Sequence, residues 1–273
     1  MSPALRDRKR PRRSNQALLR TATPRSQGIK SVEIVGRILR ALTTHARAAS
    51  LKEIARSSGM PAPKIHRYLV SLIRIGMVQQ SLDDKSYGLG AFALEVGAIA
   101  ARSNDPLLGA TKKLQRLRDM IDETITLSVW SHRGPIILEV EESTRPIVMT
   151  MRRGTVLPVL STASGVVFCA QLPRFQTSAL IEVELAGGEE NNPIVSNEKE
   201  LERLLVTVRA QGYAINSGHL LPDIIALAAP VFDRSGSLVA VLGVIGRENR
   251  IDPRWDRTVL DALLSVTRNS GCI

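Results

Sequence analysis

The chain has 273 residues, 44% hydrophobic, 23% charged and only 3% aromatic, with a formal net charge of +11 and a sequence pI of about 10.3. That apolar content suffices for globular cores, and the length favours two domains over one. So few aromatic rings leave little for base stacking on single strands, and two cysteines, Cys169 and Cys272, give neither a zinc spacing nor a disulfide framework, as suits a reducing cytosol.

The charge is uneven. Residues 1–30 carry nine Lys or Arg against one Asp, residues 31–103 carry ten against five acids, and the remainder carries eighteen against twenty. One end is therefore suited to polyanions, where phosphate neutralisation releases counterions, and the other is not. Residues 1–27, rich in Arg, Ser, Pro and Thr without periodicity, read as a disordered basic arm that either touches phosphates or merely solubilises. No secretory apolar core is visible there. The longest apolar run, from Gly88 to Ala101, is interrupted by Glu95 and too short to span a bilayer. A soluble cytoplasmic protein with no membrane partner is expected.

Ser31 to Thr44 predicts an amphipathic helix with Val35, Ile38, Leu39 and Leu42 on one side. Ser50 and Glu53 have capping-box spacing and open a second helix with Leu51, Ile54 and Ala55 inward; Ser57-Ser58-Gly59 breaks it. Pro61 and Pro63 suit the start of a third helix, whose buried stripe is Ile65, Leu69, Leu72 and Ile73. Lys64, His66, Arg67, Ser71 and Arg74 fall on its other faces. A helix-turn-helix places such a second helix in the DNA major groove; the alternative is a helical hairpin with a solvated basic face. Period two then sets in, with Met77–Gln80 and Ser86–Leu89 flanking the turn Asp83-Asp84-Lys85. A hairpin behind a recognition helix is a wing, with Lys85 at its tip.

Ala91 to Arg102 is a further amphipathic stretch, with Phe92, Leu94, Val96 and Ile99 available for a dimer contact, and a helix is expected from Pro106 to Glu123. Thr124–Trp130 and Ile136–Glu141 predict a hairpin over His132-Arg133-Gly134-Pro135, and Ile147–Met151 a third strand. Thr162–Gln171 predicts a buried helix stopped by Pro173, and Glu198–Gln211 a helix ending at Gly212. Ile224–Val231 and Leu238–Ile245 predict strands joined by Asp233-Arg234-Ser235-Gly236. Asp252 is expected to cap a last helix, with Pro253 at its first position. Hairpins mixed with helices indicate an α+β domain with a largely antiparallel sheet.

Catalytic chemistry is not apparent. There is no phosphate loop, no His-x-x-x-His pair and no nucleophile elbow, and the four histidines are widely separated. Cys169 sits in an apolar run as a buried structural thiol. Glu139, Glu141 and Glu142 are explained by strand alternation. No catalytic residue, metal site or cofactor is expected.

Gly59-Met60-Pro61 followed by His66-Arg67-Tyr68-Leu69, Tyr87-Gly88-Leu89-Gly90, Thr162-Ala163-Ser164-Gly165, Gly212-Tyr213-Ala214 and Ala228-Ala229-Pro230-Val231-Phe232-Asp233 occur in one order. In these landmarks the chain resembles the IclR family of bacterial transcription regulators, from about Ser31 to its end. The basic arm over 1–27 lies outside the match; beyond it the resemblance implies a winged helix-turn-helix over 28–90, a linker helix over 91–105 and a GAF-like α+β effector-binding domain over 106–273. It also implies a homodimer or dimer of dimers on roughly palindromic double-stranded operator DNA, and a small organic effector from catabolic metabolism. Candidates to face DNA are Ala62, Pro63, Lys64, His66, Arg67, Arg74 and Lys85; Pro63 and Lys64 replace the family's usual Ser and Thr. The implied effector residues are Thr162, Ala163, Ser164, Asn216, Ala226, Gly243 and Ile245. Members that take small carboxylates have Asp, Cys, Ser and Ser at the last four positions, and Lys is common where Val166 stands. With fewer polar groups here, a larger or more apolar ligand, such as an aromatic acid, is expected; a partly collapsed pocket is the alternative. Arg152 and Arg153 could attract an anion or simply be solvated. Competing readings are a small-molecule-modifying enzyme with an accessory basic domain, and a nonspecific nucleic-acid scaffold.

Overall fold

The structure is a computed structural model that describes residues 28–45, 47–102, 105–144, 152–187, 194–217, 223–254 and 256–268. The basic arm and the strand expected over Ile147–Met151 lie outside the described residues. The chain divides into two compact units, residues 1–97 and 98–273.

In the first unit, α1 (Lys30–Thr43) buries Ile34, Ile38, Ala41 and Leu42. Helix α2 (Leu51–Ser58) begins with the expected capping box: Ser50 Oγ accepts from Glu53 N, and Glu53 Oε2 accepts from Ser50 N at 2.7 Å. Its last turn takes in Ser57 and Ser58, the first two residues of the expected break, and Gly59 ends it at φ 65°, a conformation that favours glycine. Pro61 caps α3 (Ala62–Arg74), and Pro63 sits in its first turn, where a missing N–H costs no helix bond. Ile65, Leu69 and Leu72 are buried against Ile38, Ile54, Val78 and Tyr87. The wing is β1 (Val78–Gln80) paired antiparallel with β2 (Tyr87–Leu89), and Ala49 bridges to Tyr87 as a third short edge. Helix α4 (Ala91–Arg102) follows, with Phe92, Leu94, Val96 and Ile99 all exposed.

The second unit is a five-stranded antiparallel sheet in the order β4-β3-β7-β6-β5. Its strands are β3 (Thr124–Ser131), β4 (Gly134–Glu141), β5 (Ala214–Ser217), β6 (Ile224–Phe232) and β7 (Leu238–Arg247). Alternation along β6 sends Leu227 and Ala229 to one face and Ala226 and Ala228 to the other. The first face carries α5 (Asp105–Ile121) and α10 (Thr258–Arg268), packing Leu114, Leu117, Leu260 and Leu263 on the sheet. The second carries α6 (Ala163–Gln171) and α8 (Glu198–Gln211), with Phe168, Leu201 and Leu205 buried.

Three local expectations are corrected. The β3–β4 hairpin is tighter than the four-residue turn predicted, leaving only His132 and Arg133 between the strands. Pro173 does stop α6, but it then serves as N-cap of an unforeseen helix, α7 (Arg174–Ala186), because proline is tolerated where a helix begins. Asp252 does not cap the last helix. It ends the short α9 (Glu248–Ile251), and its carboxylate accepts from Arg254 N and Nε; Asp256 instead accepts from Thr258 N at the start of α10.

Candidate nucleic-acid interface and effector cavity

On α3, the buried stripe leaves Pro63, Lys64, His66, Arg67 and Arg74 exposed and Ala62 half-buried at the first position. Among the described residues, neither the Arg67 guanidinium nor the Lys64 ammonium makes an ion pair, whereas Arg47 is committed to Glu53 at 3.0 Å. Lys85 is exposed on the wing turn at φ 56°. Its neighbour Asp84, also exposed, bonds within the turn: its carboxylate accepts from Ser86 Oγ at 2.7 Å and Ser86 N at 3.0 Å, which holds its pKa down at about 2.

In the second unit, a cavity opens where α6 starts above the sheet. Thr162, Ala163 and Ser164 contribute from the helix end, Asn216 from β5, Ala226 from β6, and Gly243 and Ile245 from β7. All seven residues singled out from the sequence therefore line one cavity of about 30 Å³, room for roughly one or two waters. Sheet register explains their meeting, since Ala226 pairs with Asn216 on one side and with Ile245 on the other. Thr126, Ile137, Leu157, Ile224 and Leu227 complete the wall and were not anticipated. Thr126 could have been found from register alone, as the partner of Gly243 across β3 and β7.

The helix end is held by a dense set of bonds. Thr162 Oγ1 donates to Pro158 O at 2.6 Å and accepts from Gly165 N at 3.0 Å. Both carboxylate oxygens of Glu184, on α7, accept main-chain N–H groups, from Val159 at 2.7 Å and Leu160 at 2.8 Å. The amides of Ala163 and Ser164 have no acceptor among the described residues. A helix N-terminus with free amides is suited to an anion. Among the described residues no lining side chain is charged, and Arg153, expected as a possible anion lure, instead pairs with Glu139 at 2.7 Å. Cys169 is buried on α6, and burial pushes its thiol up to about 12, so it is no nucleophile at neutral pH.

The profile of the bacterial transcriptional regulator IclR C-terminal domain matches residues 102–269, and that of the IclR helix-turn-helix domain matches residues 31–82. The chain belongs to the IclR family. Among curated IclR-type relatives, KdgR of Escherichia coli is 28% identical, over 79% of this chain and 81% of its own. The crystal structure of Pseudomonas aeruginosa HmgR is 37% identical with a TM-score of 0.55, over 89% of this chain and 97% of that one. An IclR homologue from Microbacterium hydrocarbonoxydans, solved with 4-hydroxybenzoate, shares the fold at 19% identity and TM-score 0.68, over 88% and 98%. As an IclR-family protein the chain is a DNA-binding helix-turn-helix transcription regulator, not an enzyme. Among the described residues no helix is long and apolar enough to cross a membrane, and no cluster of metal-binding side chains occurs.

Proposed function

We propose that this regulator is a cytoplasmic protein of a catabolic operon, reading a palindromic operator through α3 and the wing and controlled by a small organic acid bound in the cavity beneath α6. The DNA-binding module is taken as residues 28–90, the linker as 91–105 and the effector domain as 106–273. Ala62, Pro63, His66 and Arg67 face the groove, while Lys64, Arg74 and Lys85 meet phosphates. The acid's carboxylate lies against the amides of Ala163 and Ser164, and its apolar body against Ala226, Ile245 and Ile137. Two copies pair through the exposed apolar face of α4, as a dimer or dimer of dimers, and effector binding shifts the population of half-site spacings.

The observation that carries this reading is the convergence of seven residues from four elements on one cavity at a helix N-terminus. A relative that shares the fold was crystallised with an aromatic acid, 4-hydroxybenzoate. The test is retardation of the DNA upstream of the protein's own coding sequence, with catabolic acids added one at a time. Ala226→Val, which fills the small cavity with two added methyl groups, should leave DNA retardation intact and abolish its response to any acid. An unchanged response in that variant would place the effector elsewhere.

A further inference from the structure

The first turn of α3 is nearly bare of hydrogen-bonding groups. Pro61, at the N-cap, makes no side-chain cap, and Pro63 has no N–H. The N–H groups of Lys64 and Ile65 both go to Pro61 O, at 3.0 and 3.2 Å. Of the amides that ordinarily stand free at a helix start, only that of Ala62 is without an acceptor among the described residues. Pro61 and Pro63 are exposed, Ala62 is half-buried, and no acid lies in the turn. An apolar tip therefore leads the helix, with Lys64, Arg67 and Arg74 exposed behind it.

We propose that Pro63 is a specificity residue whose ring packs on the C5 methyl of a thymine, about two base pairs from the guanine that Arg67 bonds. This rests on the placing of α3 in the major groove given above. A helix-turn-helix brings the first residues of its recognition helix to the base edges. A ring with neither donor nor acceptor cannot bond those edges, and against a polar edge it would strip water it cannot replace. The apolar group that base edges offer in the major groove is the thymine methyl. Pro63 lies one turn before Arg67 on the same exposed side of α3. That spacing is about 6 Å along the axis, close to two base-pair steps of about 3.4 Å. A hydroxyl at this place could bond several bases, whereas the proline ring favours one.

The test is selection of sites from a random duplex pool with the full-length protein, followed by anisotropy titration of the selected duplex. Each thymine is replaced in turn by deoxyuridine, which lacks only the methyl. One replacement, within about two base pairs of the guanine read by Arg67, should weaken binding roughly fourfold, as the loss of one buried carbon does. In Pro63→Ser, which keeps a residue suited to a helix start, the same replacement should change affinity by less than about 1.5-fold. Arg67→Ala should still feel it, because the two contacts are separate. A role for Pro63 in starting the helix alone would leave the effect of the methyl the same in wild type and Pro63→Ser. Deoxyuridine tolerated at every thymine, or a penalty that persists in Pro63→Ser, would overturn the role of Pro63; discrimination still lost in Arg67→Ala would then leave α3 in the groove. A pool that yields no enriched sequence would overturn both.

Discussion

Gly165 leaves no room for a side chain because Val159 lies against it: a Cβ there would stand 2.5 Å from the Val159 Cα, with the Pro158 carbonyl oxygen closer still. The obstacles are main-chain atoms, which cannot swing aside like the end of a long side chain. The first turn of α6 is thus pressed onto the strap 158–161, and the same strap offers the carbonyls that hold Thr162 and Asn216. Gly165→Ala should destabilise the effector unit by about 1–3 kcal/mol or more, as overpacking does. Thermal unfolding should show the loss, with effector response impaired. A melting temperature within a degree of wild type would mean that the close approach is not real.

Glu184 reaches the same strap from the other side. One carboxylate grips two successive main-chain N–H groups, at Val159 and Leu160, in a geometry a carboxamide cannot copy. Glu184→Gln keeps the size but offers one acceptor and sets its NH₂ against an N–H. The loss of one charge-assisted bond and the new clash should cost about 1–3 kcal/mol. Because the strap positions the helix amides, effector affinity should fall in titration while operator affinity without effector is unchanged. Equal effector affinity in the variant would reduce Glu184 to a surface role.

Much of this was legible in the sequence, for local reasons. Gly212 closes α8 because a left-handed turn residue acts within a few positions, and Ser50 with Glu53 opened α2 for the same local reason. The cavity residues were legible only through ordered family landmarks, since Thr162, Asn216 and Gly243 have no local pattern in common. What escaped depends on distant partners. Helix α7 was missed because Pro173 reads as a stop, and because Phe175 and Val183 point to solvent instead of completing an apolar stripe. Thr126 needs the pairing of β3 with β7 that sets it against Gly243, and no short-range signal announces which strands pair. The hold of Glu184 on the strap spans more than twenty residues and leaves no trace in periodicity.

Asp84 gives the wing a dependence on pH. Hydrogen bonds from Ser86 lower its pKa from 3.8 to about 2. A depressed carboxylate pKa stabilises the fold fully above the unfolded value, and the contribution fades as pH falls from near 3.8 to about 2. Asp84→Ala should therefore melt below wild type at pH 7, and the two melting temperatures should converge across that acid window. The comparison with wild type cancels Glu53, whose pKa is also lowered, by its own cap. A gap that persists unchanged to pH 2 would show that Asp84 stabilises the turn by something other than its charge.

Arg67 and Lys64 lie on the same exposed side of α3 without ion-pair partners, and the two should fail differently. An arginine that bonds a guanine edge in two places contributes about 1–3 kcal/mol of discrimination, whereas a lysine on phosphate contributes affinity that ignores sequence. Arg67→Ala should thus weaken operator binding roughly 10- to 100-fold while leaving binding to random DNA nearly intact. Lys64→Ala should weaken both by a similar factor and flatten the slope of affinity against salt by about one unit. Deleting residues 1–27 should lower affinity for all DNA without erasing the preference for operator. Anisotropy titrations at several salt concentrations separate the outcomes. If Arg67→Ala loses the same factor on random DNA as on operator, that guanidinium only holds phosphate, and recognition must rest on His66 and the start of the helix.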